Sequence, residues 1–431
     1  MMLFRSVLTG FISTLLVLTL AACTAEGQKS NVSKLRVFNA VHESSALRVN
    51  ASEDGDIVAQ LTPATLAAYK EVKSGSQTIK VYTNAGTQIL ESSANLGQDG
   101  KQLLVIAGTL GNYQGYLVDD SYSSPADGKA LVRVMHSAIG VGTLDAYLTS
   151  PSEDITQVNA TVSSLATRST GSFFEVTAGT YKLRLTPGGS KDVIYESDTI
   201  TLASKQVASF LAYPTGSGKL VGVSQLAHDD VGAATTLASK VARFKSANGV
   251  PGATYNVLVD GVLRLAGIPQ PGLSSYQGIA SGSRQIRIEP TTTPGTAIAA
   301  TTLNFEPARE YTLLTVGTAA SASVVAIADS TQTASTNKVR LRVINAVAGG
   351  DPVNLLINFT TSTSNIPAPS ASRYVELDIG TYNIAVSSAN SGVTLLSIPA
   401  QEFDSDDINK MFAILLTGAP GAIQAVLLSD N

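Results

Sequence analysis

The feature that most limits the possible folds of this chain is a short motif that recurs four times. It consists of an aromatic residue, an aliphatic residue three positions later, a glycine followed by Ser or Thr, and two alternating aliphatic residues. The copies are YKEVKSGSQTIKVY (69–82), FFEVTAGTYKLRL (173–185), YQGIASGSRQIRIE (276–289) and YVELDIGTYNIAV (374–386). Their glycines lie 104, 103 and 98 residues apart, so the sequence predicts a fourfold tandem repeat.

Other segments keep the same period. The strand-like starts are LRVFNAV (35–41), VRVMHSA (132–138), VARFKSA (241–247) and LRVINAV (341–347). Aligned with one another, they place Asn39, Lys245 and Asn345 at the position of His136. The closing apolar runs are KQLLVIAGTL (101–110), KQVASFLAY (205–213), REYTLLTVGT (309–318) and NKMFAILLTG (409–418). A last short strand then ends in an acid, at Asp119, Asp229, Asp329 and Asp430.

The repeat length selects the architecture. Propeller blades and solenoid repeats are about 20–50 residues long, whereas about 100 residues with six to eight short strands suit one β-sandwich. We therefore predict an all-β fold, a tandem array of four immunoglobulin-like β-sandwich domains. The predicted domains are residues 34–128, 129–236, 237–336 and 337–431. The polar connections at 120–130 and 329–338 are typical of linkers, which predicts separate beads along the chain.

Within the motif, period-two alternation assigns the faces of the second strand. It predicts that Tyr181, Leu183 and Leu185 face a core while Lys182 and Arg184 face solvent. The matching inward pairs are Ile79 and Val81, Ile286 and Ile288, and Ile384 and Val386. Gly179 and its counterparts are expected to take a positive φ in a tight turn between two strands. The motif is therefore predicted to be scaffold, and function is expected in the loops where the copies differ.

The N-terminus predicts export and lipidation. Residues 1–22 carry one charge, Arg5, and an apolar stretch at 7–20 that is short for a membrane span but suits a signal peptide. The sequence LAAC (20–23) resembles a bacterial lipobox, which implies cleavage before Cys23 and acylation of that residue, the only cysteine in the chain. We expect a lipoprotein signal peptide at 1–22 and a lipidated tether at 23–33. An ordinary signal peptide with a chance cysteine is the alternative.

The predicted location is the bacterial cell envelope. Thr24, where an Asp would favour retention in the inner membrane, points by analogy to the outer membrane. The segment 132–230 resembles the bacterial family called domain of unknown function 4397, through VRVMHSA, FFEVTAGTYKLRLTPGG and LAHDD. The Ser-Pro-Asp that usually follows the opening histidine of that family is absent after His136. The resemblance implies exported β-sandwich modules and no known activity.

No motif in the sequence predicts a reaction. The three histidines, His42, His136 and His228, form no zinc pattern, and His228-Asp229-Asp230 either binds a metal or simply ends a strand in solvent. TGSGKL (215–220) lacks the Ser or Thr that a phosphate loop needs after its lysine, so we expect a turn and no nucleotide. SEDGD (52–56) and DSDD (404–407) are candidate Ca²⁺ loops or ordinary surface loops.

The function classes follow from these observations. A net charge of −4 without a run of like charges argues against nucleic acid as a partner. We expect no catalytic residue, no cofactor and no metal, with Cys23 as the one assigned site, attaching the chain to a membrane. The leading hypothesis is a non-enzymatic envelope lipoprotein presenting four modules for structural or protein-interaction roles. A polysaccharide- or peptidoglycan-binding surface protein is the alternative, and a hydrolase is a remote third. The expected partner is thus an unknown envelope protein or glycan.

Overall fold

A computed structural model describes residues 31–216, 220–229, 231–332, 335 and 337–430. The predicted signal peptide, Cys23 and most of the predicted tether lie outside these residues. Within them the regular structure is almost entirely strand, interrupted by two single-turn 3₁₀-helices, Ile155–Gln157 and Ser405–Asp407. No helix in these ranges has the length and apolarity needed to cross a membrane. The all-β prediction is confirmed.

The strands fall into four units in chain order. Unit 1 contains β1 (Val32–Asn39), β2 (Leu47–Ala51), β3 (Gly55–Leu61), β4 (Lys70–Lys73), β5 (Gly75–Thr83), β6 (Gln88–Leu96), β7 (Lys101–Thr109) and β8 (Asn112–Asp119). Unit 2 contains β9 (Lys129–His136), β10 (Leu144–Thr149), β11 (Val162–Leu165), β12 (Ser169–Thr170), β13 (Phe174–Thr177), β14 (Gly179–Pro187), β15 (Tyr195–Glu196), β16 (Ile200–Leu202), β17 (Val207–Pro214), β18 (Val221–Ala227) and β19 (Ala234–Leu237).

The second half of the chain repeats this order. Unit 3 contains β20 (Val241–Asn248), β21 (Tyr255–Val259), β22 (Val262–Ile268), β23 (Gly272–Leu273), β24 (Gln277–Ala280), β25 (Gly282–Pro290), β26 (Ala299–Phe305), β27 (Glu310–Thr318) and β28 (Ser321–Ala328). Unit 4 contains β29 (Lys338–Asn345), β30 (Val353–Ile357), β31 (Thr360–Ile366), β32 (Ser370–Ala371), β33 (Val375–Asp378), β34 (Gly380–Ser388), β35 (Thr394–Phe403), β36 (Met411–Ala419) and β37 (Ala422–Ser429).

Each unit is a sandwich of two sheets. In unit 1 one sheet has the order β4-β1-β7-β8 and the other β3-β2-β5-β6. We call the first the terminal sheet, because it holds both ends of the unit, and the second the central sheet. The opening strand pairs parallel with the closing apolar strand in every unit, as β1 does with β7. The sandwiches are immunoglobulin-like in their two-layer architecture and size, with this strand order of their own.

The repeated motif is a crossing between the two sheets rather than a hairpin. Its first strand, for example β4, pairs in the terminal sheet, and its second, β5, pairs in the central sheet. The glycine at the crossing has φ 101° at Gly75, 95° at Gly282 and 151° at Gly380, which L-residues adopt only at a cost. Gly179 has a φ outside this range, so the expectation of a positive φ is wrong in unit 2.

The core positions predicted from the motif are confirmed with one correction. The inward aliphatic pairs of all four copies are at most 1% exposed, and Tyr181 packs half-buried against the same core. Arg184, predicted to face solvent, is buried. Strands β10 and β15 flank it, so its guanidinium instead donates to Glu196 Oε2 at 2.8 Å and to Thr149 Oγ1 at 2.9 Å.

The units do not lie along the chain as separate beads, because their terminal sheets pack face to face in pairs. Units 1 and 2, the first pair, share an apolar layer that includes Phe38, Leu103, Val105, Met135 and Leu211. Units 3 and 4, the second pair, share a layer that includes Leu314, Val316, Ile344, Ala413 and Leu415. The middle strands of each terminal sheet are therefore covered on both faces, which explains their continuous apolar runs.

Candidate functional site

Each opening strand carries a buried cation at an equivalent position. The structure shows that the sequence alignment of unit 3 with the other units is shifted. The side chains of Asn39, His136, Asn248 and Asn345 each accept a hydrogen bond from the backbone N–H two residues on. Asn248, and not Lys245, is therefore the unit 3 residue that corresponds to His136. Three residues earlier the units place Arg36, Arg133, Lys245 and Arg342 at one equivalent position. All four side chains are buried in the pair interfaces.

Each of these cations lies over the aromatic residue that opens the repeated motif. Arg36 Cζ lies 4.7 Å from the centroid of the Tyr69 ring, and Arg133 Cζ lies 4.3 Å from that of the Phe173 ring. In the second pair, Lys245 Nζ lies 4.3 Å from the Tyr276 centroid, and Arg342 Cζ lies 4.8 Å from that of Tyr374. The aromatic residue thus covers a buried charge with its negative face, as cation–π contacts do.

Asp120 joins the two units of the first pair. Its carboxylate accepts from Arg36 Nε at 2.5 Å, from Arg133 Nη2 and from the hydroxyl of Tyr69. Asp120 and Arg36 are fully buried. The prediction placed the closing acid at Asp119, but Asp119 is exposed and its buried neighbour makes these contacts. We call Arg36, Arg133, Asp120, Tyr69, Ser209 and His228 the first charged centre.

The protonation states in this centre follow from burial and neighbouring charge. Burial alone would raise the pKa of Asp120, but the positive charges of Arg36 and Arg133 outweigh it and leave that pKa below its usual value. Burial, together with the Asp120 charge, raises the pKa of the Tyr69 hydroxyl. Asp120 is therefore an ion, and Tyr69 is a neutral hydrogen-bond donor to it.

His228 belongs to this centre and does not end its strand in solvent. His228 is at the position equivalent to Asp329 in unit 3. His228 follows Ala227, which pairs with Ala208, and Asp329 follows Ala328, which pairs with Tyr311. Its side chain is fully buried, with Nε2 2.8 Å from Ser209 Oγ. Burial, reinforced by Arg36, Arg133 and Lys101 against the opposing charge of Asp120, lowers the pKa of His228 to about 3. A neutral imidazole thus occupies the position where other units carry an aspartate.

The second charged centre repeats the arrangement with one carboxylate more. Arg342 donates to Asp329 Oδ1 and to Asp430 Oδ2, both at 2.6 Å, and Lys245 Nζ donates to Asp430. Tyr276 and Tyr374 donate their hydroxyl protons to Asp329 and Asp430 at 2.6 and 2.5 Å. Thr312 Oγ1, at the position equivalent to Ser209, donates to Asp329 and accepts from Arg342.

Chemically, these centres fix one unit against another. Their charged groups are directed at one another, and a buried ion pair of this kind costs several kcal/mol when one partner is removed. In the first centre the Ser209 hydroxyl lies 2.8 Å from His228 Nε2, which is the pairing of a nucleophile with a base that covalent catalysis uses. Both side chains are fully buried, however, and Arg133 Nε donates to the same Ser209 oxygen at 2.7 Å. Because partners come from both units, the charges specify how the two apolar faces meet.

The histidines of the sequence are not brought together. His42 is exposed, and His136 is buried within unit 2. His136 Nδ1 accepts from the backbone N–H of Ala138, so Nε2 carries the proton and donates to the carbonyl of Gly142 at 2.8 Å. Asp229 accepts from the backbone N–H of Gly232, and Asp230 lies outside the described residues.

The candidate cation loops are held by internal contacts. In SEDGD, Glu53 pairs with Lys73, and Asp56 pairs with Arg48. In DSDD, Asp404 caps the 3₁₀-helix Ser405–Asp407, with Asp407 reaching back to the Asp404 backbone. Among the described residues no three His, Cys, Asp or Glu side chains form a group that could hold a metal ion. The middle of TGSGKL, residues 217–219, falls outside the description.

The charged centres were missed from the sequence, although each part recurs in it. A cation in the opening strand and an aromatic residue at the start of the motif recur in all four units, and an acid follows the last strand in units 1, 3 and 4. Each of these residues alone is typical of local scaffold, because nothing in one strand indicates a partner 84 or 88 residues away. The combined recurrence of a cation, an aromatic residue and an acid, all in apolar surroundings, was the available signal.

Comparison with known proteins places the chain in a family. The model of "Domain of unknown function (DUF4397)" matches residues 33–147, 242–347 and 339–431. These matches cover more than half of the chain. The chain belongs to the DUF4397 family. The matched ranges include the opening strands, motifs and closing strands of units 1, 3 and 4, and they confirm repeats of that family; residues 148–241, most of unit 2, lie outside them.

Other comparisons add little. No curated protein matches this DUF4397 chain. Among solved structures, the Bacillus anthracis TIE protein is 9% identical over 90% of this chain and 67% of its own, with a TM-score of 0.16. BcpA, the major pilin subunit of Bacillus cereus, is 7% identical over 90% of this chain and 98% of its own, with a TM-score of 0.14. We draw nothing on fold or function from TM-scores this low.

Proposed function

We propose that this DUF4397 protein is a non-enzymatic lipoprotein of the bacterial cell envelope that works as a structural or protein-interaction element. The observation that carries the proposal is that the buried charged residues of both centres join one sandwich to another. Arg36, Asp120 and Arg133 in one pair, and Arg342 and Asp329 in the other, hold sandwiches together rather than facing a reacting group. Two stiff pairs in tandem suit a spacer that presents surfaces away from a membrane.

In this proposal the acylated Cys23 attaches the chain to the outer membrane. Replacing it (Cys23→Ser) is expected to move the protein from the membrane fraction to the soluble envelope fraction, because the lipid chains supply the membrane affinity. Retention of Cys23→Ser in the membrane fraction would contradict the lipid anchor.

A matched variant tests the outer-membrane assignment separately. Thr24→Asp keeps the cysteine and adds the residue that favours retention in the inner membrane. We expect Thr24→Asp to co-fractionate with inner membrane and the natural chain with outer membrane. If the natural chain already fractionates with inner membrane, the outer-membrane part of the proposal is wrong.

Cross-linking of the natural chain in intact cells tests the interaction role. We expect it to capture a defined envelope protein, and the absence of any specific adduct would count against an interaction role.

A further inference from the structure

The two charged centres differ in charge balance. In the second centre two cations, Lys245 and Arg342, meet two carboxylates, Asp329 and Asp430. In the first centre two cations, Arg36 and Arg133, share the single carboxylate of Asp120. The position of the second carboxylate holds the neutral His228. Lys101 adds positive charge near the first centre. It stands at the position where unit 3 carries Glu310, as their equivalent backbone hydrogen bonds show, and Glu310 forms a buried ion pair with Arg243.

The excess cation lies beside a cleft. Between units 1 and 2 a cleft of about 530 Å³ is lined by Tyr116 and Asp119 from one unit and by Arg133, Arg168, Thr170 and Phe173 from the other. Arg133, which is buried, thus belongs both to the charged centre and to the wall of the cleft. The volume is in the range of small-molecule sites in proteins.

Two side chains of the cleft wall keep unused hydrogen-bonding capacity among the described residues. The guanidinium of Arg133 has five N–H groups. It donates one to Ser209 Oγ, one to the carbonyl of Asp119 and one to Asp120, which leaves two without a protein partner among the described residues. Within the same ranges, the buried Oγ1 of Thr170 has no hydrogen-bond partner. Arg168, exposed at the rim, donates to the uncharged Gln114.

One acid faces the cleft and limits what could enter. Asp119 is exposed and accepts from the backbone N–H of Ser121. The cleft lining thus carries two cations, Arg133 and Arg168, against this one acid. An oxyanion would match these donors, since arginine binds carboxylate and phosphate oxygens with paired N–H groups.

We propose that the cleft between units 1 and 2 binds the carboxylate or phosphate group of a small ligand of sugar size. The oxyanion lies against Arg133, Arg168 and Thr170, and the apolar part of the ligand lies against Phe173 and Tyr116. The second pair has a cleft of about 360 Å³ at the equivalent place, lined by Arg342, Arg373 and Tyr374. Its centre already contains two carboxylates, so the site is specific to the first pair.

Calorimetric titration of the full chain in detergent tests the proposal. The probes are glucuronate, glucose 6-phosphate and inorganic phosphate, with glucose as the uncharged control at matched ionic strength. We expect saturable binding of the charged sugars and none of glucose. Preference for glucuronate or for glucose 6-phosphate distinguishes a carboxylate from a phosphate source. Binding of inorganic phosphate as tight as that of glucose 6-phosphate supports recognition of the oxyanion alone. Equal binding of glucose, or no saturable binding of any probe, would overturn the proposal.

Three variants locate the site. Arg168→Gln, an exposed change that leaves the charged centre intact, should weaken binding about tenfold through loss of a charge-assisted hydrogen bond. His228→Asp supplies the carboxylate that the second pair carries and should weaken binding at least as much. Arg373→Gln, in the cleft of the second pair, should leave the affinity unchanged. Natural affinity in folded Arg168→Gln, or a loss in Arg373→Gln equal to that in Arg168→Gln, would show that the ligand binds elsewhere.

Discussion

At the scale of single residues, Asp120 supplies the carboxylate that both arginines of the first charged centre share. It is fully buried between two arginines, and Tyr69 donates to it as well. Asp120→Asn keeps the shape but leaves two buried guanidinium groups without a counter-charge. We expect a loss of about 3–5 kcal/mol in the free energy of unfolding of the first pair, the range for breaking a buried ion pair. Urea unfolding at neutral pH measures this loss.

The neighbouring residue supplies the control. Asp119→Asn removes the same charge one position away, on an exposed side chain, and should change the free energy of unfolding by about 0.5 kcal/mol or less. Similar effects of the two substitutions would show that the interface depends on general charge and not on the contacts of Asp120. The sequence predicts Asp119 as the closing acid. A shift of one residue at a strand end reverses which side chain is buried, and here the buried acid is Asp120.

At the scale of elements, the backbone conformation of the glycine at the sheet crossing differs between units, and so does the expected cost of replacing it. Gly75 has φ 101° and no atom within 4 Å of where a Cβ would lie, so backbone strain alone opposes a side chain there. Gly75→Ala is expected to cost about 1–2 kcal/mol. Gly179 lies outside the left-handed region, and its nearest neighbours are 3.9 Å from a Cβ, so Gly179→Ala should be close to neutral.

Thermal unfolding of both alanine variants tests this difference. A lower midpoint for the transition of the first pair is expected from Gly75→Ala and no clear shift from Gly179→Ala. Equal shifts would mean that the crossing requires glycine for a reason common to all four units. The motif therefore illustrates a limit of pattern analysis: the inward aliphatic pairs could be predicted from period two, whereas the backbone conformation of Gly179 could not.

The closing strands show what the sequence indicates about packing beyond one unit. LLVIA at 103–107 has no polar residue in alternation, although a strand with one solvent face should show it. In the structure Leu104 and Ile106 face the core of unit 1, while Leu103 and Val105 face unit 2. The all-β fold and the repeat were thus predictable from periodicity. The pairing was signalled by these runs, but the choice of partner depends on the match of two faces and their charges, which no single strand reveals.

At the scale of the whole molecule, paired sandwiches predict that unfolding follows pairs rather than units. Leu103 is fully buried in the interface layer of the first pair, and Leu314 is fully buried in that of the second. Separating two such units would expose contiguous apolar layers and buried charges, which makes each pair one cooperative block. Units 2 and 3 are joined by polar contacts such as the Gly278 N–H donating to Asp192 at 3.2 Å and the ion pair of Arg264 with Asp192. Among the described residues, no buried apolar cluster contains residues of both units. We therefore expect two calorimetric transitions for the natural chain.

Leucine-to-lysine substitutions in the interface layers test this block structure. Leu103→Lys places a charge in the interface layer and not in the core of unit 1, so it should split the transition of the first pair into two and leave the second pair unchanged. Leu314→Lys should do the reverse, and each variant serves as the control for the other. Four transitions in the natural chain, or a loss of both pairs in either variant, would contradict pairwise cooperativity. Two transitions that respond separately would establish the pair as the cooperative unfolding unit of the molecule.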